Sequence, residues 1–190
     1  MFINFTFLFD ACVLYPAPVR DLIIELAIAD LYRAKWSNRI HDEWISSLLN
    51  NRPDLNREKL EKTRHLINTS VEDCLVEGYE SLAETLHLPD VDDRHVLAAA
   101  IKAQAQIIVT YNLKDFPSKI LETFGIEAQH PDDFFLNQSG LQQGLFLAAI
   151  KRVRQSLKKP PKTPEEYLDV LRRHSLAKTA ELLENYIDII

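Results

Sequence analysis

Short apolar runs alternate along most of the chain with longer stretches whose apolar residues recur every three or four positions. Phe2 to Phe9 is a β-favouring run that stops at Asp10, which predicts a first strand ending on a carboxylate. After the turn Tyr15-Pro16-Ala17-Pro18, residues Val19, Leu22, Ile23, Leu26 and Ala27 share one helical face. Tyr32 to Trp36 predicts a second strand, and Ser37 stands where it can cap a helix over 38–50. A highly charged helix is expected over 56–70, a short strand at Cys74-Leu75-Val76 and a short helix over 79–86. The acidic turn Pro89 to Asp93 opens a helix over 94–104, and Gln106 to Thr110 reads as a compact apolar strand. A short helix over 118–124, a small strand at Ile126-Glu127-Ala128 and a helix over 131–136 follow. Such alternation predicts an α/β fold with a central parallel sheet covered on both faces.

The pattern changes near Asn137-Gln138-Ser139-Gly140. Beyond it the periodicity is helical throughout, over 141–157, 164–173 and 176–186. Thr163-Pro164-Glu165-Glu166 has the form of a capping box with proline at the first helical position. The expected organisation is an α/β unit over 1–136 and an all-helical extension over 137–190. A segment that short is a weak candidate for an independent core, so it is read as docked on the α/β body.

With 190 residues and a 46% hydrophobic fraction, the chain can bury a core without disulfides or a structural metal. Cys12 and Cys74 have no CxxC partners, so neither a disulfide framework nor a zinc ribbon is readable. No signal peptide and no membrane-length apolar run is seen; the expectation is a soluble, cytoplasmic protein without a membrane. The net charge of −6 is unevenly spread, and residues 136–190 carry 9 Lys/Arg against 6 Asp/Glu. An acidic body binds polyanions poorly, so any nucleic-acid chemistry needs local basic patches and metal ions.

Ligands of open parallel sheets bind outside the carboxyl ends of the strands. Asp10 ends the first strand, Asp115 lies in the loop after the strand 106–110, and Asp93 enters a helix on the stripe shared with Val96, Leu97 and Ala100. Glu43 lies beside Trp44 on its own helix and is expected half-buried. Converging carboxylates repel and are tolerated when a divalent cation neutralises them, and oxygen ligation suits Mg²⁺ or Mn²⁺. The chemistry suggested is metal-assisted phosphodiester hydrolysis. An EF-hand reading of Asp90-Val91-Asp92-Asp93 fails, because His95 stands where glycine is required and Ile101 where the bidentate glutamate is required. Asp90 and Asp92 are read instead as helix-capping or as supporting the ligands. His95, His130 and His174 are read as surface residues, and Cys12 as a small buried residue without an activating base. Candidate contacts for a polyanionic substrate are Arg33, Lys35 and Arg39 around the second strand and Lys151, Arg154, Lys158 and Lys159 in the extension.

Three segments carry a resemblance. Phe9-Asp10-Ala11-Cys12-Val13-Leu14 resembles the opening strand and turn of PIN-domain nucleases, and Asp93-Arg94-His95-Val96-Leu97-Ala98-Ala99-Ala100 is similar to their third acidic motif. Ile108-Val109-Thr110-Tyr111-Asn112-Leu113-Lys114-Asp115-Phe116 matches the family's strand, Thr, Asn/Asp, Asp-Phe signature. Order and spacing agree over roughly residues 1–136. The resemblance implies a three-layer α/β/α fold and an acidic quartet that binds Mg²⁺ or Mn²⁺. By motif position Asp10, Asp93 and Asp115 are its catalytic, metal-binding members, with Glu43 as the fourth. Asn112 takes a position that is often acidic in the family, and Thr110 is placed to orient water or a carboxylate.

Many members are VapC-type ribonuclease toxins held inactive by a cognate antitoxin, and members are frequently dimers. The helical tail also looks like the appendix of a subset of those toxins. A haloacid-dehalogenase phosphatase needs an aspartate where Cys12 stands, and a receiver domain fits region 90–116 poorly. The resulting expectation is a metal-dependent endoribonuclease, the toxin of a toxin–antitoxin pair. The alternative is a catalytically degenerate PIN domain that binds RNA or acts as a scaffold, left open by Asn112.

Overall fold

The computed structural model describes residues 5–190. Five short strands, β1 (Thr6–Phe9), β2 (Arg33–Ser37), β3 (Leu75–Val76), β4 (Ile107–Val109) and β5 (Glu127–Gln129), form one sheet in the order β3-β2-β1-β4-β5. All four pairings are parallel, with Leu8 of β1 facing Lys35 of β2 on one side and Ile108 of β4 on the other. Every residue of β1 is buried, as expected of a central strand covered on both faces. The part of the expected first strand at Phe2-Ile3-Asn4 lies outside the described residues.

Helices α1 (Ala11–Leu14) and α2 (Ala17–Ile28) connect β1 to β2, and α3 (Asn38–Asn51) and α4 (Arg57–Ser70) connect β2 to β3. The chain returns across the sheet through α5 (Glu80–Ala83) and α6 (Arg94–Lys102), and α7 (Ser118–Leu121) precedes β5. The run Val96 to Ala100 of α6 is fully buried and packs on β1, β2 and β4. Phe7 and Phe9 of β1 meet Tyr32 and Phe134 in an aromatic cluster, with Phe134 standing edge-on to both strand residues at 5.0 and 5.4 Å. Tyr32 donates its hydroxyl to the Ile23 carbonyl of α2 at 2.8 Å, satisfying a polar group inside this cluster. Helices on both faces of a parallel sheet give the three-layer α/β/α arrangement.

The C-terminal helices are α8 (Pro131–Leu141), α9 (Gln143–Ser156), α10 (Pro164–Arg173) and α11 (Ala177–Glu184). They pack on α2 and on one another. A buried carboxylate fastens them: Asp132 accepts from the Lys178 and Thr179 amides at 2.9 and 2.8 Å and from the Thr179 hydroxyl at 2.6 Å. Those amides belong to the first turn of α11, where a negative charge is favoured. The expected capping box is present at α10, with Thr163 and Glu166 each accepting from the other's backbone amide.

Two element expectations need correction. The helix from Pro131 does not stop at Leu136: α8 continues through Asn137 to Gly140 and ends at Leu141. Gln138 and Ser139 are buried, so packing against α9 and α11 outweighs the low helix propensity of Asn, Ser and Gly. The short helix expected over 79–86 shrinks to Glu80–Ala83. Among the described residues no helix is long and apolar enough to cross a membrane.

Candidate active site

The strand order reverses between β1 and β4, and this is where an open α/β sheet leaves a crevice. Asp10 follows β1 and Thr110 follows β4, so the two stand side by side across that point. The Thr110 hydroxyl accepts from the Asn112 amide at 3.0 Å and donates to Asp10 Oδ2 at 2.7 Å. The accepted bond sets the hydroxyl proton's direction, and the proton fixes the carboxylate. Cys12 adds a second bond to the same oxygen, Sγ to Oδ2 at 3.0 Å, while its sulfur accepts from the Tyr111 amide at 3.4 Å. Burial first, and then the Asp10 charge, push the Cys12 thiol well above its usual range. It is a donor to Asp10, a role the sequence did not reveal, and with its thiol held protonated it is no nucleophile. Asp10 is only 4% exposed. It occupies the N-cap position of α1 without making a side-chain capping bond, so the carboxylate is spent on these partners and on the cleft.

Glu43 reaches the same cleft from α3. His95 Nε2 donates to its Oε1 at 2.8 Å, and Arg39 Nε reaches that oxygen at 3.2 Å. His95, read from the sequence as a surface residue, is 2% exposed. Its other ring nitrogen, Nδ1, is buried without a hydrogen-bond partner, so Glu43 is the contact that accounts for the ring's placement. Sequence reasoning missed it because burial of His95 follows from α6 being enclosed on all sides. The unbroken buried run after it, Val96 to Ala100, was the available signal. Arg20 was missed as well. It is buried, donates to the Leu14 carbonyl at 2.7 Å and stacks its guanidinium 4.7 Å above the Trp44 ring. It thus ties α1, which follows Asp10, to α3, which carries Glu43.

Asp93 stands at the N-cap of α6, again without a side-chain capping bond. Asp90 Oδ1 accepts from the Asp92 amide at 2.9 Å, which closes the turn that leads into Asp93. Asp10, Glu43, Asp93 and Asn112 line one open cleft of about 370 Å³ with Cys12, Tyr15 and Trp44. Asp115 is on the 3₁₀ turn Leu113–Asp115, near enough for its charge to act on Asp93. Burial is the largest cause raising the Asp93 carboxyl to about 7, followed by the charges of Asp10, Asp90, Asp115 and Glu43. Five acidic groups therefore share one field. A divalent cation would offset such a field, and the oxygens are of the hard kind that Mg²⁺ and Mn²⁺ take. Among the described residues no three His, Cys, Asp or Glu side chains are gathered tightly enough to form a ready-made cage.

The basic candidates divide. Arg39 is at the cleft, reaching Glu43 and the Asp92 carbonyl at 3.5 Å. Arg33 opens β2 at the opposite end from the carboxylates, and Lys35 is paired with Asp73; both line a separate cavity. Lys151 donates to the Ile189 carbonyl at 2.8 Å, and Arg154 and Lys158 line a cavity in the C-terminal helices. Lys159 is exposed beside them. His130 is half-buried, accepting from the Asp132 amide at 3.1 Å and standing edge-on to Tyr111.

Comparison with known proteins gives a consistent picture. A family model described as the PIN domain matches residues 6–114, and one described as the VapC50 C-terminal domain matches residues 131–185. A protein named "Putative ribonuclease VapC50" from Mycobacterium tuberculosis (strain ATCC 25618 / H37Rv) is 43% identical over 94 residues, 50% of this chain and 55% of that protein. The alignment thus spans about half the length of that relative. No solved structure matches the chain.

Proposed function

The chain belongs to the PIN-domain family, and from that premise we propose that it is a divalent-metal-dependent endoribonuclease, the toxin of a toxin–antitoxin pair. The observation that carries this reading is the convergence of Asp10, Glu43 and Asp93 on one cleft at the switch point of the sheet. The relative named as a ribonuclease supports it. Asp10, Glu43, Asp93 and Asp115 would hold one or two Mg²⁺ or Mn²⁺ ions. When bound, such a cation supplies Lewis acidity to the scissile phosphate and lowers the pKa of a water.

The protein's own residues prepare the site. Thr110 and Cys12 hold Asp10 by one oxygen, His95 and Arg39 hold Glu43 by one oxygen, and Asp90 keeps the turn before Asp93 closed. Asn112 contributes an uncharged wall and, through its amide, the orientation of Thr110. Fixed orientations of this kind are what a first ring of ligands needs from its surroundings. In the reaction, water oxygen bonds to phosphorus, the bond from phosphorus to the 3′ oxygen breaks, and that oxygen leaves as a hydroxyl.

The nuclease unit is taken as 1–136 and the helical extension as 137–190, the two sharing the continuous helix α8, with RNA as substrate, an antitoxin protein as partner and a homodimer as the assembly. The test is digestion of a 5′-labelled single-stranded RNA with Mg²⁺ or Mn²⁺, followed by analysis of the new ends. The expected products carry 5′-phosphate and 3′-hydroxyl ends, and EDTA abolishes their formation. Cyclic or 3′-phosphate ends formed in EDTA would contradict the proposal.

A further inference from the structure

Between the end of α9 at Ser156 and the start of α10 at Pro164 the chain encloses an open cavity of about 420 Å³. Its lining is Arg154, Gln155, Leu157, Lys158, Pro161 and Lys162, three cations and no acid. Arg154 donates from Nη1 to the Lys162 carbonyl at 2.8 Å, which pins the guanidinium across the connection. Its Nε is buried and meets no acceptor. Among the described residues neither Lys158 nor Lys162 has an ion-pair partner for its ammonium group, whereas Arg57, Lys62 and Arg64 of α4 are paired with neighbouring acids. Glu165 lies within electrostatic reach of Arg154. Its carboxyl is held below the usual range first by its own backbone amide, then by Thr163, and only last by Arg154.

Three neighbouring positive charges repel one another. An anion with several acceptor oxygens relieves that repulsion, and a guanidinium fork matches a phosphate. The cavity's position favours a polynucleotide as the source of that phosphate. α10 has ten residues, about 15 Å of helix, and it runs from this cavity to His174. The His174 carbonyl accepts from the Tyr111 hydroxyl at 2.9 Å, and Tyr111 immediately precedes Asn112 of the acidic cleft. One rigid helix therefore separates the cationic cavity from the carboxylate loop. A strand bearing a charge on every residue can occupy both places. An acidic peptide would find little to anchor it, since the apolar lining is only Leu157 and Pro161.

We propose that Arg154, Lys158 and Lys162 form a phosphate-binding subsite for single-stranded RNA, at the far end of α10 from the contact that His174 makes with Tyr111. The identity of the ligand rests on the nuclease reading. The test uses the full chain as wild type, a Lys158→Gln/Lys162→Gln variant and a charge-matched control, Lys59→Gln/Lys102→Gln, whose side chains are exposed and outside both sites. The probe is a 5′-fluorescein-labelled 20-nucleotide single-stranded RNA, and binding is read by anisotropy in EDTA over a NaCl series. Cleavage by wild type is recorded separately with Mn²⁺.

The subsite variant is expected to bind about 5-fold more weakly, with the salt slope reduced by about 0.7 for each phosphate no longer neutralised. The control keeps the wild-type Kd and slope. Weakened binding by the subsite variant without cleavage by wild type supports the subsite and sinks the nuclease reading. Equal binding by all three proteins alongside wild-type cleavage overturns the subsite and leaves the nuclease reading intact. An absence of RNA binding by wild type overturns the subsite. So does a variant that loses affinity for a labelled poly-glutamate peptide while binding RNA normally, since the cavity then serves an acidic protein.

Discussion

At the scale of single residues, the acids of the cleft depend on neutral neighbours for their direction. Thr110 is the clearest case, because one hydroxyl both accepts from Asn112 and donates to Asp10. Thr110→Val keeps the shape and removes both bonds. It should lower activity by about 10–100-fold, the range typical of losing a group that orients a ligand, while Thr110→Ser should stay near wild type. Steady-state cleavage of labelled RNA distinguishes them. His95 acts the same way on Glu43. His95→Phe should weaken Mn²⁺ binding by about 10–100-fold in calorimetric titration, and His95→Gln, which retains a donor, should recover part of it.

Asp93 gives a prediction about stability against pH. Its carboxyl is raised from 3.8 to about 7 by burial and by the surrounding acids. Below the unfolded value both states hold the proton. Between about 4 and 7 the unfolded chain has released it and the folded chain has not, so stability falls as pH rises through that window. Asp93→Asn removes the loss. In EDTA its melting temperature should exceed that of wild type by a few degrees at pH 7.5, with the gap closing toward pH 4. A gap that stays constant across the range would contradict this account of the cleft.

At the scale of elements, the C-terminal helices hang on few polar contacts, and Asp132 is the central one. It is buried and accepts two amides and a hydroxyl from the first turn of α11. Asp132→Ala should destabilise the protein by about 2–3 kcal/mol, read by urea denaturation. Most elements were legible because their signals are local: the Ser37 cap, the Thr163 to Glu166 box and the apolar strand cores all appear where the pattern puts them. The passage through Asn137 to Gly140 was not legible. Its residues are poor helix formers and read as a linker, whereas α8 is held helical there by helices that follow it in sequence.

At the scale of the whole molecule, the sequence exposes the site in proportion to how much of it depends on strand ends. Asp10, Asp93 and Asp115 could be singled out because each follows a strand or opens a helix, and the fold brings Asp10 and Asp93 to one cleft with Asp115 on the 3₁₀ turn after β4. The support from His95, Arg20 and Cys12 was hidden, since it depends on which helix faces which. Charge is also partitioned at this scale. Residues 136–190 are net positive at 9 against 6 while the chain as a whole is −6, so the C-terminal helices stand positive against an acidic remainder.

The central claim is that the acidic cleft hydrolyses RNA with a divalent cation. The most direct measurement compares cleavage of an RNA pool by purified wild type, Asp10→Asn and Asp93→Asn, with Mn²⁺ and with EDTA. The account predicts cleavage by wild type only with Mn²⁺, and a loss of about 100-fold or more in both variants. Equal cleavage by all three proteins would place the activity elsewhere. Failure of all three to cleave, with no rise in wild-type melting temperature on adding Mn²⁺, would contradict the account and leave a PIN domain that binds without cutting.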